Sequence, residues 1–223
     1  MNILSVYAHN EPKSLTASLK NTAMGELLRQ GHTIMETDLY AIGFSPKAEK
    51  FDFTALAGGH YNYMLEQKHT SAGGLLFSPD IMAEIEKVAK ADIIIFHTPI
   101  WWFSVPAILK GWFDRVFAMG VTWDAGKTFD KGLLRGKAVM LCGVAGFPED
   151  YYRVDGQLGA TMNQMLLPIQ HGIFEFCGLN VIEPYIVYNS LGLNQTQIDK
   201  VMQEYHFKIS HLADSPNFLT KFD

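Results

Sequence analysis

Apolar residues along this chain fall into two patterns that alternate from the N-terminus onward. Short β-like apolar runs, typical of strands, occur at residues 3–7, 32–40, 92–97, 137–144 and 181–188. Between these runs, apolar residues recur every three or four positions, as on one face of a helix. These stretches predict helices at residues 14–30, 78–90, 107–118, 157–177 (interrupted at Pro168) and 194–213.

The alternation of strands and helices predicts an α/β fold, with a parallel sheet covered by helices on both faces. Five strands suit the doubly wound, flavodoxin-like order 2-1-3-4-5, and we expect one domain over residues 1–223. In that order, ligands bind at the carboxyl ends of strands 1 and 3, where the winding direction switches. The expected site is therefore formed by the loops at residues 8–16 and 98–104.

Residues 43–77 fit neither pattern and contain two Gly-Gly pairs and many aromatic residues. Loops of this length in a compact domain are usually functional or interfacial. Aromatic residues expected in loops suggest an exposed apolar contact surface, and therefore a homodimer. They are Tyr61, Tyr63, Phe77 and Phe147.

Composition and charge narrow the range of partners. The 223 residues are 48% hydrophobic, which is enough for one sizeable core, and the net charge is −5 without any run of Lys or Arg. We therefore expect neither a nucleic-acid partner nor stable membrane insertion. Cys142 and Cys177 lie in apolar segments, as expected of two buried thiols in a cytoplasmic protein.

The loop after the first strand, residues 8–16, offers hydroxyl groups and backbone N–H groups at a helix N-terminus, where anions bind readily. It lacks the Gly-Lys-Ser/Thr ending of a P-loop. An ordinary capped loop with a surface histidine remains the alternative to a phosphate site.

The loop after the third strand carries Trp101, Trp102 and Phe103 in succession. Three consecutive aromatic side chains cannot all face one helical core stripe, whereas planar rings beside backbone amides suit an isoalloxazine or nicotinamide ring. A core plug and a dimer contact are the alternatives. The position of this loop at the expected switch point favours the ligand.

The loop after the fourth strand contains Gly146, where the backbone can approach a ligand closely, followed by Tyr151 and Tyr152. A turn with solvated tyrosines is the alternative. Patterns of a metal site or a nucleophilic serine are missing, so we expect no metal. The dinucleotide fingerprint Gly-x-Gly-x-x-Gly is also missing after the first strand, so nicotinamide would be a visiting substrate.

These residues resemble the NAD(P)H:quinone oxidoreductase family over most of the chain, from the first strand to about Pro184. The longest matching stretch is residues 102–117, Trp-Phe-Ser-Val-Pro-Ala-Ile-Leu-Lys-Gly-Trp-Phe-Asp-Arg-Val-Phe. Shorter matches include Ala8-His9, Glu11-Pro12-Lys13-Ser14, Asp38-Leu39-Tyr40, Ser78-Pro79-Asp80-Ile81 and Pro168-Ile169-Gln170.

The resemblance implies a flavodoxin-like fold, a homodimer with the active site at its interface, and bound FAD, with FMN as the alternative. The implied pyrophosphate contacts are His9, Ser14, Leu15 and Thr16. The implied flavin-ring contacts are Pro99, Ile100, Trp101, Trp102, Phe103, Gly146 and Tyr152, of which Tyr152 is also the implied catalytic tyrosine. The sequence departs from the family pattern at Leu158, where a catalytic histidine is expected, and at Trp101, where glutamine is usual.

The expected function is two-electron, ping-pong transfer of hydride from NAD(P)H through the flavin to a quinone or similar acceptor. A regulatory flavoprotein subunit of a potassium-efflux system is one alternative. A one-electron carrier of the flavodoxin type is another, although such carriers tend to be smaller and more acidic.

Overall fold

The computed structural model describes residues 1–74 and 76–212 and confirms the flavodoxin-like fold. Five parallel strands form one sheet in the order β2-β1-β3-β4-β5. The strands are β1 (Asn2–Tyr7), β2 (Thr33–Asp38), β3 (Ile93–Pro99), β4 (Ala138–Val144) and β5 (Asn180–Val187). Every residue of β3 is buried, because this central strand is covered on both faces.

The helices divide between the two faces of the sheet and form two apolar cores. They are α1 (Leu15–Arg29), α2 (Tyr63–Ala72), α3 (Pro79–Lys90), α4 (Ala107–Val116), α5 (Met162–Ile169) and α6 (Gln195–Ser210). One core joins the sheet to α1 and α6 through residues such as Leu19, Ile95 and Ile209. The other joins it to α3, α4 and α5 through residues such as Ile81, Trp112 and Leu166. Alternate strand residues serve opposite cores, as the period of two requires.

The expectation that residues 43–77 contain no regular element is wrong, because α2 lies within this segment. The buried residues of α2 are polar, namely Glu66, Gln67 and Thr70, so apolar periodicity does not reveal the helix. Gln67 Nε2 donates to the carbonyl of Asp114 at 2.9 Å, which fixes α2 against α4. Glu66 likewise accepts the backbone N–H of Ala57 at 2.9 Å, so the two largest buried polar side chains of α2 have partners inside the protein.

Two of the aromatic residues expected to be exposed are packed into the protein. Phe77 belongs to the core and is 3% exposed. Tyr63 packs against Phe53 at 5.2 Å between ring centroids, with the rings tilted by 56°, and its O–H donates to Asp52 Oδ2 at 2.6 Å. Phe147 is half-exposed, as expected. Phe77 and Tyr63 are therefore not available to an exposed dimer contact.

The helix predicted at residues 157–177 begins later than expected, at Met162. Thr161 forms a capping box with Gln164, which sets the N-terminus of α5. Pro168 has no backbone N–H, so one hydrogen bond of the helix is lost there. A π-helical turn follows at Gln170–Glu175. The remaining bounds agree to within a few residues, and the predicted end of the last helix, Ala213, lies outside the described residues.

Cys142 and Cys177 are buried free thiols, as expected. In residues 1–74 and 76–212, no helix is both long and apolar enough to cross a membrane.

Candidate active site

The two loops expected at the switch point lie together at the carboxyl edge of the sheet. β1 and β3 are neighbours in register, with Tyr7 beside His97, and the backbone N–H of Ala8 donates to the carbonyl of His97 at 3.0 Å. The ring centroids of His9 and Trp101 are 6.2 Å apart. Residues 9–14 therefore border the aromatic turn that follows β3; they are called the phosphate loop below, after the phosphate contact that the sequence predicts there.

The phosphate loop ends at a well-formed helix N-terminus. Ser14 is the N-cap of α1, and its Oγ accepts the N–H of Ala17 at 3.2 Å. Leu15 packs against the core and Thr16 is 1% exposed, so neither side chain faces a ligand. Leu15 and Thr16 can contribute only backbone N–H groups, which have no acceptor within the first turn of a helix.

His9 is held in one neutral form by its own loop. The backbone N–H of Glu11 donates to His9 Nδ1 at 2.9 Å, so the ring proton belongs on Nε2. Desolvation by burial lowers the pKa of His9, although the charge of Glu11 acts in the opposite direction. His9 therefore offers a neutral N–H donor at neutral pH.

The aromatic turn is a two-residue hairpin with an unusual backbone. Trp101 and Ser104 exchange N–H to carbonyl hydrogen bonds at 3.0 and 3.1 Å. Between them, Trp102 and Phe103 have φ values of 50° and 59°, the left-handed geometry of a type I′ turn. Such φ values cost residues with large side chains about 1–3 kcal/mol each and persist mainly at functional sites.

The same turn exposes the three aromatic side chains, with Trp102 93%, Trp101 43% and Phe103 37% exposed. The core-plug alternative is therefore wrong. The backbone N–H groups of Trp102 and Phe103 donate to no acceptor within the described part of the chain. The turn presents both rings and unpaired donors, which is what a polar aromatic ring system requires of its site.

An apolar cleft of about 640 Å³ opens beside this turn. Its walls are Ile100, Trp101, Trp102, Phe103, Gly146, Phe147, Tyr152, Leu158 and Leu191. The size and the apolar walls are typical of small-molecule and cofactor sites. Pro99, also expected to contact the ring, is buried at the end of β3 and is not one of the walls of the cleft.

Gly146 leaves space in the cleft that the protein itself does not need. A Cβ at this position would meet only the Leu191 side chain, at 3.5 Å or more. Its φ is not among the left-handed values, so the backbone does not demand glycine here either. The bare Cα therefore suits a ligand that approaches the backbone closely.

Tyr152 is the titratable side chain among the described residues that line the cleft. Burial raises its pKa, while a hydrogen bond from the backbone N–H of Phe147 to its oxygen acts in the opposite direction. A phenol O–H with a raised pKa stays protonated at neutral pH and can donate to a ligand. Leu158 lines the same cleft, so the position expected to hold a histidine is aliphatic.

Two walls of the cleft, Phe147 and Leu191, are not among the predicted site residues, although Phe147 lies in the predicted loop after the fourth strand. Leu191 follows β5 and is 91% exposed. The position of Leu191 after β5 was the available signal, because the loops that follow the strands of a parallel sheet all begin at its carboxyl edge.

Comparison with known proteins places the chain among flavin-linked reductases. A family model described as the flavodoxin-like fold matches residues 1–209. The ribosyldihydronicotinamide dehydrogenase [quinone] of Pongo abelii is 43% identical over 187 residues, covering 83% of this chain and 80% of the relative. NAD(P)H dehydrogenase [quinone] 1 of Rattus norvegicus is 39% identical over 188 residues, covering 83% of this chain and 68% of the relative.

The chain belongs to the NAD(P)H:quinone oxidoreductase family. A solved structure from Klebsiella pneumoniae, described as a quinone reductase, superposes with a TM-score of 0.91 at 33% identity. It covers 97% of this chain and 86% of its own.

The site of this family member fits the flavin that its family implies. The α1 N-terminus and His9 supply donors for phosphate, and the aromatic turn supplies rings and two backbone N–H groups. The glycine-lined cleft leaves room for a planar ring. In residues 1–74 and 76–212, no three His, Cys, Asp or Glu side chains group as metal ligands would.

Proposed function

We propose that this protein transfers hydride from NAD(P)H to a quinone through a flavin bound at the carboxyl edge of its sheet. The observation that carries the proposal is the junction of the phosphate loop with the aromatic cleft, at 6.2 Å between the His9 and Trp101 rings. The flavin supplies the two-electron chemistry when bound, taking hydride from one substrate and giving it to the next. The names of the relatives support a quinone as acceptor.

The protein's own residues bind, orient and exclude water. His9 Nε2, Ser14 and the N–H groups of Leu15 and Thr16 would hold the phosphate. Trp102 and Phe103 would hold the ring system with their N–H groups, while Ile100 and Gly146 line its face. The Tyr152 O–H would donate to negative charge that develops beside it, in a cleft whose apolar walls strengthen such a bond.

We propose FAD as the flavin, with FMN as the alternative, on the family resemblance of the phosphate loop. Releasing the flavin from the purified protein and separating it by chromatography decides between them. The released flavin should be FAD at one per chain.

The hydride donor is the reactant about which the sequence says least. The residues that line the cleft bear on its choice. None of the described residues lining the cleft is Lys or Arg, and the acidic Glu149 and Asp150 follow Phe147 closely. The name of the Pongo abelii relative adds dihydronicotinamide riboside to NADH and NADPH as a donor to be tested. Initial rates with NADH, NADPH and dihydronicotinamide riboside rank the three donors.

We propose a homodimer with a mainly apolar interface and a cytoplasmic location. Exposed apolar side chains on the segment between β2 and α3 support the dimer, notably Phe51, Met64 and Leu65. The two buried free thiols support a reducing compartment. Light scattering on the flavin-loaded protein should give twice the chain mass, and a stable monomer with full flavin content would refute the dimer.

Steady-state kinetics test the reaction itself. Varying the donor at several quinone concentrations should give parallel double-reciprocal lines, the mark of a ping-pong exchange. Negligible turnover with every donor, together with capture of a potassium-efflux transporter, would favour the regulatory subunit instead. A flavin that accepts and passes on single electrons but does not oxidise NADH, NADPH or dihydronicotinamide riboside would favour the flavodoxin-type electron carrier.

A further inference from the structure

Tyr7 is a buried tyrosine below the phosphate loop. Its hydroxyl has no part in the proposed reaction. Tyr7 is the last residue of β1 and is 2% exposed. The Lys20 ammonium lies 5.4 Å from the centroid of its ring and pairs with Glu36 at 2.6 Å. The ring is therefore fixed in place, and its hydroxyl has a set direction.

The Tyr7 hydroxyl reaches both ends of the turn that leads into α1. It donates to the carbonyl of Glu11 at 3.1 Å and lies 3.4 Å from Ser14 Oγ. Glu11 is also the residue whose N–H fixes the His9 ring, and Ser14 is the N-cap of α1. One hydroxyl thus touches the two residues that orient the donors of the phosphate loop.

We propose that Tyr7 is a positioning residue for phosphate binding, holding Glu11 and Ser14 so that His9 Nε2 and the first N–H groups of α1 stay in place for the ligand. The inference rests on the proposed function, because it assigns the phosphate of the flavin to this loop. Tyr7 itself need not touch the ligand, since its hydroxyl is already engaged below the loop.

Tyr7→Phe is a clean test, because the protein should still fold. The Glu11 carbonyl keeps the N–H of Ser14 at 3.1 Å, and Ser14 Oγ keeps the N–H of Ala17. The ring and its packing also remain. Only the constraint between the strand and the loop is lost, which corresponds to about a two- to tenfold change in an equilibrium.

The decisive comparison uses FMN, which has the phosphate, and riboflavin, which lacks it. Both are titrated into protein freed of flavin, and dissociation constants are read from fluorescence quenching. Tyr7→Phe should weaken FMN about two- to tenfold and leave riboflavin within about twofold. The matched control is Tyr185→Phe, which removes the hydroxyl of a partly buried tyrosine that also donates to a backbone carbonyl, that of Val201 at 3.0 Å. The control should change neither constant.

Hydrogen exchange in the flavin-free protein gives an independent readout. In Tyr7→Phe, amides of residues 9–17 should exchange faster, while those of residues 19–29 should not. Unchanged FMN affinity, equal loss of FMN and riboflavin, or unchanged exchange in residues 9–17 would overturn the inference. Failure of the wild-type protein to bind FMN or FAD would instead overturn the proposed function.

Discussion

The imidazole of His9 lies 6.2 Å from the indole of Trp101, with the two rings inclined at 60°. This contact joins the loop after β1 to the loop after β3, which the winding of the sheet places side by side. We propose that one ligand spans this contact, with its phosphate on the His9 side and its ring on the Trp101 side. The contact therefore defines the path that a flavin would follow through the site.

Trp102→Ala tests whether the exposed indole binds the ring. Trp102 is 93% exposed, so its loss should leave the free energy of unfolding within about 0.5 kcal/mol. Loss of about 1.5 kcal/mol of aromatic contact should weaken flavin binding or turnover about tenfold. Phe207→Ala, an exposed aromatic on α6, is the control and should change neither. Unchanged flavin affinity and turnover in Trp102→Ala would assign the indole to another contact, such as a dimer interface.

Gly146→Ala tests the space left in the cleft. The added methyl meets only Leu191 in the protein, so stability should hold, whereas overlap with a ligand ring costs about 1–3 kcal/mol. We expect a loss of flavin affinity of roughly 5- to 150-fold. In the control Gly25→Ala, the methyl meets nothing within 4 Å inside α1, and stability should rise. A Gly146→Ala protein that binds flavin normally would remove this residue from the ring site.

Tyr152→Phe tests the proton donor of the cleft. Hydride transfer needs no protein proton, so donor oxidation should persist, slowed by up to about 10²-fold. Because burial raises the Tyr152 pKa and Leu158 is aliphatic, the single-turnover rate should show no step near pH 6.5. A clear titration there, abolished by replacing His9 or His171, would mean that a histidine has taken the role.

His97 should make stability fall at acid pH. Its ring is fully buried, Nε2 is bonded to the Tyr205 hydroxyl at 2.8 Å, and burial lowers its pKa to about 3. The folded pKa lies below the unfolded value of about 6.5, so this contribution is present above pH 6.5 and is lost as pH falls. The expected slope is about 1.4 kcal/mol per pH unit between about pH 6 and 3.5.

Urea unfolding at several pH values measures this slope. His97→Gln should reduce the slope of unfolding free energy against pH by about 1.4 kcal/mol per pH unit, the contribution of one proton. His60→Gln, at an exposed position, should leave the slope unchanged. Equal slopes in wild-type protein and His97→Gln would show that the buried ring does not control acid stability.

Most elements could be predicted because their patterns are local, and the sheet order then followed from the alternation of strands and helices. The apolar run before His97 indicates a buried strand, and the spacing of three or four between apolar residues of α1 indicates a helix. The helix α2 could not be found in this way, since its buried residues Glu66, Gln67 and Thr70 are polar and give no apolar period.

The position of the site followed from the winding of the sheet, but its detail did not. Left-handed φ values at Trp102 and Phe103 contradict the local preference of aromatic residues, so the type I′ turn is imposed by the surrounding structure. Leu191 reaches the cleft only through the tertiary arrangement of the loop after β5. The side-chain roles of Leu15 and Thr16 were likewise decided by packing, which leaves only their backbone for a ligand.

The most direct test of the account is the visible absorption of the purified protein during one anaerobic cycle. The protein should carry a flavin at one per chain, lose the oxidised flavin absorption on mixing with NAD(P)H or dihydronicotinamide riboside, and regain it on adding a quinone. A colourless protein that takes up neither FAD nor FMN at micromolar concentration, or a bound flavin that no dihydronicotinamide bleaches, would contradict the central claim.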